Sequence, residues 1–285
     1  VDHHTYVIAG DGCLMEGIGQ EAITLAGHLG LGRLIVLFDD NGISIDGPTS
    51  LSTSEDHKKR FAAAGWHVLS VDGHDAEAVT RAIRKARNVT DKPSLIACKT
   101  VIGYGAPNKQ GTSATHGSPL GADEVAAARE ALGWPWPPFE VPADIRDTWL
   151  EAGRRGFPVR QAWEARVSAH PQGNELLRRM RGELPEGKAM QDYLASLCET
   201  KPNVATRKSS EMALEAITAV LPEMIGGSAD LTGSNNTKTK STGPLTKDDY
   251  SGRYIYYGIR EHGMAAAMNG MALYGGIIPY GGTDR

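Results

Sequence analysis

The sequence predicts an α/β protein built on a parallel sheet, and three observations carry that prediction. Short apolar runs rich in β-branched residues alternate with amphipathic stretches over the first hundred residues, a βαβ rhythm. Oxygen-bearing polar residues stand where the first two runs end, at Asp11 and at Asn41. Loops of glycine and small hydroxyl residues recur where later runs end, the edge at which open α/β sheets bind ligands.

Taken in order, Thr5-Tyr-Val-Ile-Ala9 reads as a buried strand that delivers Gly10-Asp11-Gly12 as a turn. Glu16 to His28 has helical periodicity, and Leu34-Ile-Val-Leu-Phe38 is a second strand delivering Asp39-Asp40-Asn41. A right-handed crossover would bring the two strand ends together. Gly42 to Pro48 reads as a glycine-rich loop without regular structure, followed by a helix over Glu55 to Ala64. The rhythm then resumes with strand Trp66 to Val71, helix Ala76 to Arg87 capped by Asp75, and strand Ser94 to Lys99. Thr100 to Gly121 is a long loop carrying His116, and loops of that length are usually functional or disordered. Helix Ala122 to Leu132 closes this part.

Three domains of the chain are expected: 1–133, an excursion and linker at 134–203, and a second α/β unit from 204 to 285. The arginines of the excursion, Arg178 and Arg179 among them, read as solvated helix faces. In the second unit, helix Ser209 to Val220 precedes a short strand Glu223 to Ile225 and a small-residue loop from Gly226 to Asn236. Strand Tyr254 to Tyr257 leads through Glu261 into helix Met264 to Leu273. On local grounds Glu261 is a helix N-terminal acid favoured by the dipole.

Composition narrows the class. The chain has 285 residues, a formal net charge of -4 and a pI near 6.2, so it lacks the basic footprint of a nucleic-acid binder. No apolar run approaches the roughly 20 residues of a membrane span. Cys13, Cys98 and Cys198 are odd in number and far apart, which suggests a reducing compartment, with neither a disulfide framework nor a zinc site. Both ends, at Val1 and at Gly282-Thr-Asp-Arg285, read as internal to a longer protein.

The residue types around Asp11 suit a metal-diphosphate. Mg²⁺ takes hard oxygens and usually only one or two protein carboxylates, because phosphate oxygens supply the rest. Asp11 offers a carboxylate and Asn41 a neutral amide oxygen, while Gly10 and Gly12 would let backbone approach a bulky anion. The helix that follows would present free N–H groups. An ordinary turn and a nicotinamide dinucleotide loop are the rivals; the latter needs glycine where Met15 stands.

Six stretches, in one order along the chain, carry a resemblance. They are Gly10-Asp-Gly-Cys-Leu-Met-Glu-Gly17, Leu34-Ile-Val-Leu-Phe-Asp-Asp-Asn-Gly-Ile-Ser-Ile-Asp-Gly47, Thr115-His-Gly-Ser-Pro-Leu120, Thr206-Arg-Lys-Ser-Ser210, Gly226-Gly-Ser-Ala-Asp-Leu231 and Tyr256-Tyr-Gly-Ile-Arg-Glu-His-Gly-Met264. Together they resemble the transketolase family.

The resemblance implies a parallel-sheet thiamine-diphosphate-binding fold, a diphosphate-binding domain followed by the start of a pyrimidine-binding domain. It implies transfer of a two-carbon ketol unit between sugar phosphates such as xylulose 5-phosphate, in a cytoplasmic homodimer of the pentose phosphate pathway, with no nucleic-acid or membrane partner. Asp11, Asn41 and the Ile43 carbonyl would hold Mg²⁺ or Ca²⁺, and Gly12 would contact the diphosphate. His116 would lie near the diphosphate and the reacting carbon, and Asp230 near the cofactor. Glu261 would bond the aminopyrimidine ring, Arg207 and Ser234 the donor phosphate, and Glu16 and Glu21 would lie at the subunit interface. Gly233 departs from the family's usual proline and would loosen the approach to Ser234. The alternatives are a non-catalytic chain needing a partner, or another thiamine-diphosphate enzyme such as deoxyxylulose-phosphate synthase.

Overall fold

The computed structural model describes residues 3–283; Val1, Asp2, Asp284 and Arg285, and with them the reading of both ends as internal, lie outside the described residues. The chain divides into two units, 1–142 and 143–285.

In the first unit, β1 (Thr5–Gly10) leads directly into a short helix α1 (Asp11–Met15) and then α2 (Gly17–His28). Strand β2 (Leu34–Asp40) follows, and then a small hairpin of β3 (Ile43–Ser44) and β4 (Gly47–Pro48). Helix α3 (His57–Ala63), strand β5 (His67–Asp72), α4 (Ala76–Arg87), β6 (Ser94–Lys99) and α5 (Ala122–Ala131) complete the unit. The four long strands form one parallel sheet in the order β1-β2-β6-β5, with Gly10 opposite Asp39 and Asp40 opposite Lys99.

Two apolar clusters cover the two faces, as a parallel sheet requires. Alternate residues of β2 and β6 go to opposite sides: Val36, Phe38, Leu95 and Ala97 pack with Leu14, Ile23, Phe61 and Trp66, whereas Ile35, Ile96 and Cys98 pack with Ala82 and Ala86 of α4. Burying Phe61 or Leu95 this completely is worth about 1.5–3 kcal/mol each. Trp66 donates its indole N–H to the Ile23 carbonyl at 2.9 Å and stands edge-on to Phe61, which locks α2 to the end of α3. Gly27 makes that approach feasible, because a Cβ there would lie 1.8 Å from the Ala64 carbonyl oxygen. The expected cap is present: the Asp75 carboxylate accepts from the Ala78 N–H.

Three sequence expectations need correction here. Among the described residues strand β1 is not buried: it is the last strand of the sheet on its side, and Thr5 to Ile8 are exposed because no cluster covers them before Ala9. Gly10-Asp11-Gly12 is not a free turn; Gly10 is extended and serves as N-cap, and Asp11 opens α1. The Gly42–Pro48 stretch is ordered as the β3–β4 hairpin, which reverses at Ile45-Asp46, and Gly42 adopts a positive φ of 70° between β2 and β3.

The second unit contains helices α6 (Ala143–Arg154), α7 (Gly156–Ala169), α8 (Gly173–Met180), α9 (Ala189–Thr200) and α10 (Thr206–Val220). Strand β7 (Met224–Ser228), the single turn α11 (Thr232–Asn235), β8 (Tyr254–Tyr256), α12 (Glu261–Tyr274) and β9 (Ile278–Pro279) follow. Its sheet is parallel, in the order β8-β7-β9. Helix α10 begins earlier than the periodicity suggests, so Arg207 lies in its first turn. Gly226 to Ser228 extend β7 where a loop was expected. They fit a strand because Gly226 and Gly227 admit the Tyr280 and Tyr257 rings. Buried hydroxyls of Thr218, Thr239 and Thr242 bond one another and hold the segment after α11 against α10.

The reading of every excursion arginine as solvated also fails, at Arg178. Its side chain is only 14% exposed because it bridges Glu175, in a bidentate pair at 2.7 and 2.8 Å, to the buried Glu223 at 2.9 Å. Arg178 first, and Arg179 second, hold the Glu175 carboxyl down to about 2. A depressed carboxyl contributes stability that is present above its unfolded value of 4.5 and is lost as pH falls toward 2. Thermal unfolding of the chain and its Glu175→Gln variant is therefore expected to differ at pH 6 and to converge near pH 2. A gap independent of pH would contradict the pairing.

Candidate functional site

The first ligand group is assembled from the carboxyl ends of β1 and β2, which are hydrogen-bonded neighbours. Because β1 runs into α1 without a loop, the Asp11 carboxylate is held at the strand end and is buried. Its Oδ2 accepts the Gly42 N–H at 3.2 Å, which joins the end of β1 to the residue after Asn41. Asn41 closes a turn on itself: its Oδ1 accepts the Ile43 N–H at 2.9 Å and its Nδ2 donates to Asp39 at 3.2 Å. Asp11 and Asn41 thus accept the N–H groups of two adjacent residues, Gly42 and Ile43, in the turn after β2.

Electrostatics leave Asp11 short of positive charge. Burial pushes its carboxyl above the usual aspartate range and the nearby Asp40 adds to that, against the opposing Gly42 hydrogen bond, His57 and Lys99. A cation bound there would remove the penalty. Space for an anion lies alongside: a Cβ built on Gly10 or Gly12 would meet nothing within 4 Å. Neither glycine has a positive φ, so their value is the open approach and not a special turn. Among the described residues no group of three or more His, Cys, Asp or Glu is placed to hold a metal ion. A carboxylate from Asp11, an amide from Asn41 and a carbonyl from Ile43 would together suit a hard cation carried in with phosphate oxygens.

The long loop after β6 starts at this same edge. Thr100 donates its N–H to the Asp40 carbonyl at 3.3 Å and its hydroxyl to the Asp39 carboxylate. His116 is exposed on this loop, its N–H closing a turn onto the Ser113 carbonyl, and no side-chain bond ties it to Asp11 or Asn41. Sequence reasoning missed the fastening of the loop: His74 Nε2 accepts the Val101 N–H at 3.0 Å and its ring stacks on Tyr104 at 4.0 Å. Its place after the β5 end was the available signal.

Glu16 is the hinge residue between α1 and α2, exposed, and Glu21 sits half-buried on α2. The remaining candidates lie in the second unit. Glu261 is the first residue of α12 and is exposed. Asp230 has a left-handed backbone, φ 60°, two residues after β7, a conformation that aspartate tolerates better than most residues. Ser234 is exposed within the single turn α11, and Arg207 is exposed on α10. A cavity of about 510 Å³ in this unit, lined by Trp163, Arg166, His170 and Arg179, contains none of them.

Comparison with known proteins decides the family. Residues 1–185 match the model of the transketolase thiamine diphosphate binding domain, and residues 202–283 that of the transketolase pyrimidine binding domain. The chain belongs to the transketolase family. It is 58% identical over 286 aligned positions to transketolase of Cereibacter sphaeroides and 54% identical to that of Sinorhizobium medicae, in each case over 99% of this chain. A transketolase from Pichia stipitis solved with xylulose 5-phosphate superposes with a TM-score of 0.91 at 43% identity, again over 99% of the chain. The Campylobacter jejuni transketolase gives 0.87 at 34%. This transketolase-family chain spans only 43% of the length of the Cereibacter relative and of both solved structures. Among the described residues no helix is long and apolar enough to cross a membrane.

Proposed function

We propose that this chain supplies the metal-diphosphate site and the pyrimidine-contacting glutamate of a transketolase, acting in the cytoplasm as a homodimer. The activity is reversible transfer of a two-carbon ketol unit from a ketose phosphate to an aldose phosphate. The observation that carries the reading is the buried Asp11 carboxylate, raised by burial and bonded to the residue beside Asn41 where two parallel strands end. The sugar phosphates bound in solved relatives support the substrate class.

Thiamine diphosphate, when bound, supplies a thiazolium that stabilises a carbanion. Asp11, Asn41 and the Ile43 carbonyl would hold the divalent cation, Mg²⁺ or Ca²⁺, whose charge would offset that of the diphosphate beside Gly12. Glu261 bonds the aminopyrimidine and shares a proton with its ring nitrogen. Asp230 flanks the cofactor, His116 orients the reacting carbonyl, and Arg207 and Ser234 bind the donor phosphate, for which the planar arginine fork is suited. Glu16 and Glu21 face the second subunit. Glu261 is exposed in the single chain, and a second copy would cover it and give it the dry surroundings this role needs.

The test is calorimetric titration of thiamine diphosphate into the protein carried at the full length of its relatives. Binding heat is expected with Mg²⁺ or Ca²⁺ and is expected to vanish in chelator; equal affinity in both would overturn the metal assignment.

A further inference from the structure

Behind Asp11 lies a cluster that no ligand assignment uses. Arg60, in the last turn of α3, has a side chain only 16% exposed, and its three nitrogens are unequal. Nη1 pairs with Glu55 at 3.0 Å. Nη2 donates to the Leu14 carbonyl at 2.9 Å and lies 3.0 Å from His57 Nδ1, which is also 3.7 Å from the Glu55 carboxylate. Nε is buried with no partner, which costs about 1–3 kcal/mol that another residue would avoid.

The acceptor explains why the guanidinium is there. Leu14 belongs to α1, the five-residue helix that Asp11 begins, and its carbonyl is one of those left free at the helix end. Gln20 of α2 donates to the same oxygen at 2.9 Å, so α1 is clamped from both neighbouring helices. A cation at a helix carboxyl end is also favoured by the dipole. The second half of the site is touched as well: the His57 ring stands edge-on to Phe38 at 5.4 Å, in the strand that delivers Asn41. A helix this short cannot hold its own orientation, since most of its backbone groups lie at one end or the other.

We propose that Arg60, braced by Glu55 and His57, is a positioning residue that orients α1 so that the Asp11 carboxylate faces Gly42 and Asn41. This inference rests on Asp11 holding the cation. Arg60 touches no ligand and acts through the Leu14 carbonyl; loss of such an outer partner typically weakens metal affinity 10–100-fold.

The experiment titrates Mg²⁺ with thiamine diphosphate into the protein at the full length of its relatives, comparing wild type, Arg60→Met, Arg60→Lys and Asp11→Asn, with thermal unfolding of each in chelator. Arg60→Met is expected to raise the Kd about 10- to 100-fold, and Arg60→Lys, which keeps one charged donor, to recover most of that. A purely structural Arg60 would lower the unfolding temperature of both variants in chelator while leaving Kd at the wild-type value, and that result overturns the proposal. If Arg60→Met does not fold, Arg60→Gln takes its place, with the same expected and overturning outcomes. Unchanged affinity in Asp11→Asn would instead defeat the cation assignment itself.

Discussion

Asp11→Asn is expected to melt higher than the parent chain without metal, and to lose the stabilisation that Mg²⁺ and thiamine diphosphate confer. The carboxyl is buried, raised above its ordinary value, and close to Asp40, so its charge is a cost in the metal-free fold. Asparagine keeps an oxygen for the Gly42 N–H and removes that charge. The sign is fixed by linkage. A carboxyl raised on folding costs stability at neutral pH, and the cost fades as pH falls through its native value, so the advantage of asparagine should shrink in acid. With ligand the order reverses. At a hundredfold excess over Kd the parent gains about 2.7 kcal/mol. For a unit of this size that is a rise of about 10 °C. Scanning calorimetry of both proteins, with chelator and then with Mg²⁺ and cofactor, reads both effects. A metal-free asparagine variant that melts well below the parent, or one that keeps the ligand-induced rise, would remove Asp11 from the site.

This opposition of stability and binding explains which parts of the chain were legible beforehand. The strands β2 and β6 announce themselves because both faces are buried, and continuous apolar runs such as Leu34 to Phe38 have no other use in a protein of this composition. Asn41 is visible for the same reason, as the first polar amide after such a run. What stayed hidden depends on partners distant in sequence. The β1 run looks like β2 on paper, yet Ile8 is 81% exposed because, among the described residues, no apolar cluster covers it. Arg60 reads as one more charge on a helix until Leu14, 46 residues away, supplies the acceptor. Arg178 was misread for the same reason, since Glu223 lies 45 positions on. Glycine is a legible marker whose use differs by place: Gly12 is open to approach, whereas Gly42 adopts a positive φ of 70°.

Glu261→Gln is expected to bind thiamine diphosphate within about tenfold of wild type while slowing proton exchange at the thiazolium carbon by about 10²- to 10⁴-fold, the usual worth of a positioned acid or base. Glutamine preserves the length and shape of the side chain and still offers a hydrogen bond, but it has no proton to share with a ring nitrogen. Binding and exchange are therefore separated by one substitution, and deuterium exchange followed by magnetic resonance reads the second independently of turnover. Unaltered exchange would rule out the activating role. Exposure adds a further condition. Glu261 opens α12 facing water in the single chain. Sharing a proton requires that another surface exclude water from it, because desolvation is what raises a carboxyl. If a second copy provides that surface, dilution below the dimer's dissociation constant should slow exchange in the wild type and leave Glu261→Gln, already slow, unaffected. Concentration-independent exchange in the wild type would instead mean that Glu261 is covered within its own chain.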